Sequence, residues 1–122
     1  MADEPRILIL DDEPIVLMDL AMAVADSGLR PVEVRSVPDA LAAIDADPPD
    51  AAVLDVHLGG GATCAPVAKR LRGLLIPFLL HTGDDLSEAA IVAELGGEMV
   101  AKPSYGDDVA RRLCALLDRP TA

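Results

Sequence analysis

Five short apolar runs recur along the chain: RILIL (6–10), PVEVRS (31–36), AAVLDVH (51–57), IPFLLHT (76–82) and EMVAKP (98–103). Each is followed by residues with helical spacing, and this alternation is what most limits the fold. A strand of consecutive aliphatic residues has no polar face for water, so both its faces must be covered. Helices inserted between successive strands supply the cover, and such crossovers are right-handed. The expectation is one α/β domain over residues 1–122, a doubly wound five-stranded parallel sheet, (βα)5, with strand order 2-1-3-4-5.

Local signals place the helices. Pro14 suits a first turn and Gly28 a C-cap for a helix over 14–28. A second helix over 37–47 puts Ala40, Leu41 and Ile44 on one face, and PPD at 48–50 breaks it. Further helices are expected over 64–73, 86–97 and 106–119. PVEVRS only half alternates, which places it near an edge. With 52% hydrophobic residues but one Tyr, one Phe and no Trp, the core has to be aliphatic.

Composition narrows the function. The formal charge is −11 and no cluster of basic residues is visible, so direct nucleic-acid binding is not expected. No apolar run reaches the length of a bilayer span, and the N-terminus MADEPR is acidic, unlike a signal peptide. A cytoplasmic protein without membrane contact is expected. Cys64 and Cys114 fall inside predicted helices without Cys-x-x-Cys spacing and read as small, buried or half-buried thiols.

The first apolar run ends in Asp11, Asp12 and Glu13. Two unit charges ~4 Å apart repel by roughly 4 kcal/mol at an effective dielectric of about 20, so water or a cation must compensate. The other strand ends contribute Asp55, Thr82 and Lys102, the last followed by Pro103. In an open parallel sheet these ends share one rim, where ligands bind. Hard carboxylate oxygens with room for waters suit Mg²⁺, held by Asp12 and Asp55 with Asp11 close by or acting through water. Taken singly, each residue has an ordinary role: Asp11 and Asp12 as turn or capping residues, Thr82 as a strand-end hydroxyl, Lys102 as a solvated lysine. Asp55 inside AVLDVH is harder to dismiss, because it places a charge in an apolar strand.

DDEP, LDV, HTG and AKP, in this order, with Asp12, Asp55, Thr82 and Lys102 separated by 43, 27 and 20 residues, resemble the receiver domain of two-component response regulators, of the stand-alone type. The resemblance covers nearly the whole chain. It implies a flavodoxin-like fold and a phosphorelay switch that catalyses only its own phosphoryl transfer and dephosphorylation. Asp55 would be the phosphoacceptor. Mg²⁺ would be held by Asp12, Asp55 and the His57 backbone carbonyl, with Asp11 assisting. Lys102 and Thr82 would contact the phosphoryl oxygens, and the Lys102–Pro103 peptide would be cis. The implied partners are a sensor histidine kinase or histidine phosphotransfer protein and a downstream protein target. A homodimer through the fourth helix, fifth strand and closing helix is a further option.

Several positions depart from the family pattern. Met99 stands where an aromatic switch residue is usual, and Tyr105 lies beyond Pro103. After Asp55 the chain reads LGGGATCAP, expected as a hinge-like loop; without a following Gly-Lys-Ser/Thr it is not a phosphate loop. His57 is expected either to face the phosphoryl site or to be a solvated loop histidine. His81, next to Thr82, is expected to be turned away from the site by strand alternation, as a core or interface histidine. The alternatives are a phosphorylation-independent adaptor on the same fold, an aspartyl-phosphate phosphatase, for which Asp-x-Asp is missing at 55–57, and a flavin binder, for which aromatic residues are too few.

Overall fold

The structure is a computed structural model that describes residues 4–59, 62–82, 98–101 and 106–117. In chain order the elements are β1 (Arg6–Leu10), α1 (Pro14–Asp26), β2 (Arg30–Val34), α2 (Val37–Ala46), β3 (Ala51–Asp55), α3 (Ala65–Gly73), β4 (Phe78–Thr82), β5 (Glu98–Ala101) and α4 (Gly106–Leu117). The strands form one parallel sheet in the order β2-β1-β3-β4-β5, as the alternation predicts. The helix expected over 86–97 lies outside the described residues.

The strands divide their side chains by parity. Ile7, Ile9, Ala51, Val53 and Leu79 pack with Leu17, Leu20 and Val24 of α1 and with Val109, Leu113 and Leu116 of α4. Leu8, Leu10, Ala52, Leu54, Phe78 and Leu80 pack on the other face against Ala40 and Ile44 of α2 and Val67, Ala68 and Leu71 of α3. Each large aliphatic side chain buried this way contributes roughly 1.5–3 kcal/mol. Because β1 and β3 are interior strands covered on both faces, they are apolar from Ile7 to Leu10 and from Ala51 to Leu54. β2 lies at one edge and keeps Arg30 and Glu33 exposed.

Backbone chemistry sets the helix ends. Pro14 occupies the first turn of α1, where its missing N–H costs no helical bond. Gly28 follows α1 at φ +80, and the N–H groups of Gly28 and Leu29 close onto the carbonyls of Ala25 and Val24, while buried Leu29 anchors the exit. The Ser36 hydroxyl accepts the Asp39 N–H at 3.3 Å and caps α2. Two expectations need correction. β3 ends at Asp55, two residues earlier than the apolar run suggests, because the chain turns there into a hairpin. Buried Cys64 precedes α3 as its N-cap instead of lying inside it, since Pro66 fits only the first turn.

Candidate functional site: an acidic cluster at the strand ends

Asp11 follows the last residue of β1, and Asp55 is the last residue of β3, the neighbouring strand. Asp12 begins the turn into α1. Oxygen atoms of the three carboxylates all lie within 4.8 Å of one another. Asp11 and Asp55 are only 1% and 4% exposed, whereas Asp12 is half-buried. The ordinary role of Asp11 is realised as well: its Oδ1 accepts the Glu13 N–H at 2.9 Å and fixes the turn. Crowding three carboxylates, two of them buried, is unfavourable without positive charge. Hard oxygen donors at this spacing fit a small divalent cation such as Mg²⁺, which keeps several waters and takes only a few protein ligands.

The segment after Asp55 builds one wall of the cluster. Leu58 N–H donates to Ala62 O and Ala62 N–H to Gly59 O, both at 3.0 Å, and His57 bridges to Thr63 in antiparallel fashion. Cys64 N–H donates to Val56 O at 3.1 Å. The expected hinge-like loop therefore closes on itself over its described residues. Gly59 sits at φ +77, and a Cβ built there would lie 3.2 Å from Asp12 Oδ2. Only glycine gives both this backbone conformation and this close approach to the carboxylate. His57 is exposed.

Two residues enter that strand-end reasoning did not include. Arg35, just beyond β2, donates from Nη2 to the Asp12 backbone carbonyl at 3.4 Å, which sets a guanidinium beside the acidic turn. Its signal in the sequence is its place at the end of an edge strand. His81 is 3% exposed and registers with Asp55 across the β3–β4 pair. It is buried, as expected of a core histidine, and its odd parity puts it on the same sheet face as Asp55.

Thr82 ends β4 and registers with Ala101 of β5, so the rim position expected for it is observed in the backbone. Met99 is in β5, in register with Leu80. Lys102, Pro103 and the peptide bond between them lie outside the described residues. Among the described residues no helix is long and apolar enough to cross a membrane.

No family model matches the chain. Over 121 residues it is 32% identical to the acid tolerance regulatory protein ActR of Sinorhizobium medicae, matching 96% of this chain and 60% of that one. The chain thus spans about 60% of the length of that curated relative. The solution structure of SdrG from Sphingomonas melonis Fr1 is 37% identical and superposes with a TM-score of 0.78, covering 96% of this chain and 99% of that one. A crystal structure from Chloroflexus aurantiacus J-10-fl, assigned as a response regulator, is 28% identical with a TM-score of 0.84 and covers 95% and 99%. Sheet order, acidic strand ends and these similarities agree: the chain belongs to the response-regulator receiver family.

Proposed function

We propose that this chain is a phosphorylation-dependent signalling switch that accepts a phosphoryl group on Asp55. The observation that carries the reading is the Asp55 carboxylate, nearly buried at the end of an interior strand and within 4.8 Å of those of Asp11 and Asp12. Receiver-family membership supports a phosphorelay role, and with it a sensor histidine kinase or histidine phosphotransfer protein as donor.

In the transfer, an Asp55 oxygen forms a bond to phosphorus as the P–N bond of the donor phosphohistidine breaks. The bonding pair returns to the donor's ring nitrogen, leaving a neutral imidazole when the other ring nitrogen carries a proton. Asp12, Asp55 and the His57 backbone carbonyl, with Asp11 assisting, would hold Mg²⁺, which would supply charge neutralisation for the transferring group. Lys102, one residue beyond the Ala101 that registers with Thr82, pairs with a phosphoryl oxygen, and the Thr82 hydroxyl hydrogen-bonds another. Positioning and electrostatics of this kind account for most of the catalysis in phosphoryl transfer. The added charge then biases the β4–β5 side of the domain, with Met99 repacking in place of an aromatic switch residue, and the signal passes by protein–protein contact.

Mass spectrometry after incubation with a small acyl-phosphate donor tests the reading. One phosphoryl group is expected on the wild-type protein with Mg²⁺, and none without Mg²⁺ or in Asp55→Asn. An adduct that persists in Asp55→Asn overturns the assignment. No adduct on the wild-type protein under any of these conditions favours a phosphorylation-independent adaptor.

A further inference from the structure

Arg35 enters the acidic site from β2, a strand that contributes none of its carboxylates. The β1–β2 pairing runs on past the registered pair Leu10 and Val34, because the Asp11 N–H donates to Val34 O at 3.2 Å. That bond fixes the start of the acidic turn beside the end of β2. The next residue, exposed Arg35, reaches the turn itself, its Nη2 donating to the Asp12 backbone carbonyl at 3.4 Å. The bond goes to a neutral acceptor, and among the described residues Arg35 is joined to no carboxylate. Its guanidinium therefore carries a full positive charge that no ion pair takes up. The Asp12 carboxylate belongs to the same small residue as that carbonyl and lies with those of Asp11 and Asp55. The guanidinium thus stands well inside the ~10 Å over which charges act at ~0.1 M salt.

We infer that Arg35 is the resident counter-charge of the acidic site, a positioning residue tied to the Asp12 turn that steadies the metal-free protein and holds Mg²⁺ affinity down. The inference rests on the cluster being the Mg²⁺ site of the proposed function. One cation cannot favour both states. It offsets the repulsion among three carboxylates when no metal is bound, and it repels a divalent ion that comes to the same place. A purely structural role has the opposite sign. Removing a side chain that only steadied the Asp12 carbonyl would loosen the turn and weaken metal binding. The direction of the change in affinity therefore separates charge from scaffold.

Mg²⁺ titration calorimetry of wild-type, Arg35→Gln and Arg35→Lys proteins is the first test. Arg35→Gln keeps N–H donors but loses the charge, and it is expected to bind Mg²⁺ about three- to fivefold more tightly at ~0.01 M salt. The gain is expected to vanish at ~1 M salt, where charges act over only ~3 Å. Arg35→Lys keeps the charge and is expected to stay near the wild-type affinity. An affinity unchanged or weakened in Arg35→Gln at low salt overturns the inference, and so does a gain that Arg35→Lys shares in full.

The second test uses no metal. In chelator at low salt, Arg35→Gln is expected to melt below wild type. The loss is expected to shrink in the Asp12→Asn background, where one of the repelling carboxylates is gone. A loss of the same size in both backgrounds overturns the counter-charge and leaves only the bond to the carbonyl, which Asp12→Asn retains. Wild-type protein that binds no Mg²⁺ overturns the metal reading of the cluster instead, and the melting curves still decide whether Arg35 offsets its charge.

Discussion

At the scale of single residues, the site depends on one glycine as much as on its carboxylates. Gly59 combines a left-handed backbone with a Cβ position only 3.2 Å from Asp12 Oδ2. Gly59→Ala therefore acts twice: the left-handed conformation costs about 1–2 kcal/mol for an L-residue, and the new methyl pushes on the carboxylate. Stability is expected to fall by about 1 kcal/mol and Mg²⁺ to bind several-fold more weakly by titration calorimetry. Unchanged Mg²⁺ affinity would show that Asp12 does not hold the metal in this rotamer. Asp11, Asp12 and Asp55 were legible in the sequence because a charge that ends an apolar run has few reasons to be there. A core place for His81 was legible as well, but its cross-strand neighbour was not. Its place is set by register with Asp55 on the next strand, which local periodicity does not contain.

At the scale of elements, α1 and α3 end in the same hydrogen-bonded turn on different residues. After α1 the left-handed position is Gly28, whereas after α3 it is Leu75, at φ 59 and 89% exposed. There the Leu75 N–H bonds to Arg72 O at 3.1 Å and the Ile76 N–H to Leu71 O at 2.9 Å. Leu75 thus bears the strain of a left-handed residue and buries almost nothing in return. Leu75→Gly is expected to raise stability in urea by about 0.5–1 kcal/mol, the relieved strain less the greater unfolded-state freedom of glycine. A loss of stability would mean that the leucine side chain holds the turn. Ser36→Ala removes the α2 cap and is expected to cost about 1 kcal/mol in the same denaturation series. Elements whose ends are fixed by local chemistry, such as Pro14 and Gly28, were readable in advance. The end of β3 was not, because the turn after Asp55 is closed by bonds between Leu58, Gly59 and Ala62 that no run of hydrophobicity reveals.

At the scale of the molecule, the acidic cluster ties metal binding to stability. A metal that binds only the folded state stabilises it by about 2.7 kcal/mol at a hundred times its dissociation constant. Mg²⁺ is therefore expected to raise the melting temperature of the wild-type protein. Asp12→Asn is expected to raise it in the presence of a chelator, by relieving part of the ~4 kcal/mol repulsion available at such distances, and to abolish the Mg²⁺ increment. Melting curves with chelator and with Mg²⁺ provide the check, and a Mg²⁺ increment that survives in Asp12→Asn would place the metal elsewhere on this chain of net charge −11.

What the sequence determined by itself follows from short-range physics. Consecutive apolar residues at 7–10, 51–54 and 78–80 are bound to be strands covered on both faces, and the helical spacing between them sets a parallel sheet with its polar strand ends on one rim. Only the tertiary structure decided which residues meet on that rim. It set His81 beside Asp55, brought Arg35 onto the Asp12 carbonyl and packed Gly59 against the Asp12 carboxylate. Those juxtapositions join residues 23 to 47 positions apart. They depend on strand register and loop closure, which arise only when the whole sheet assembles.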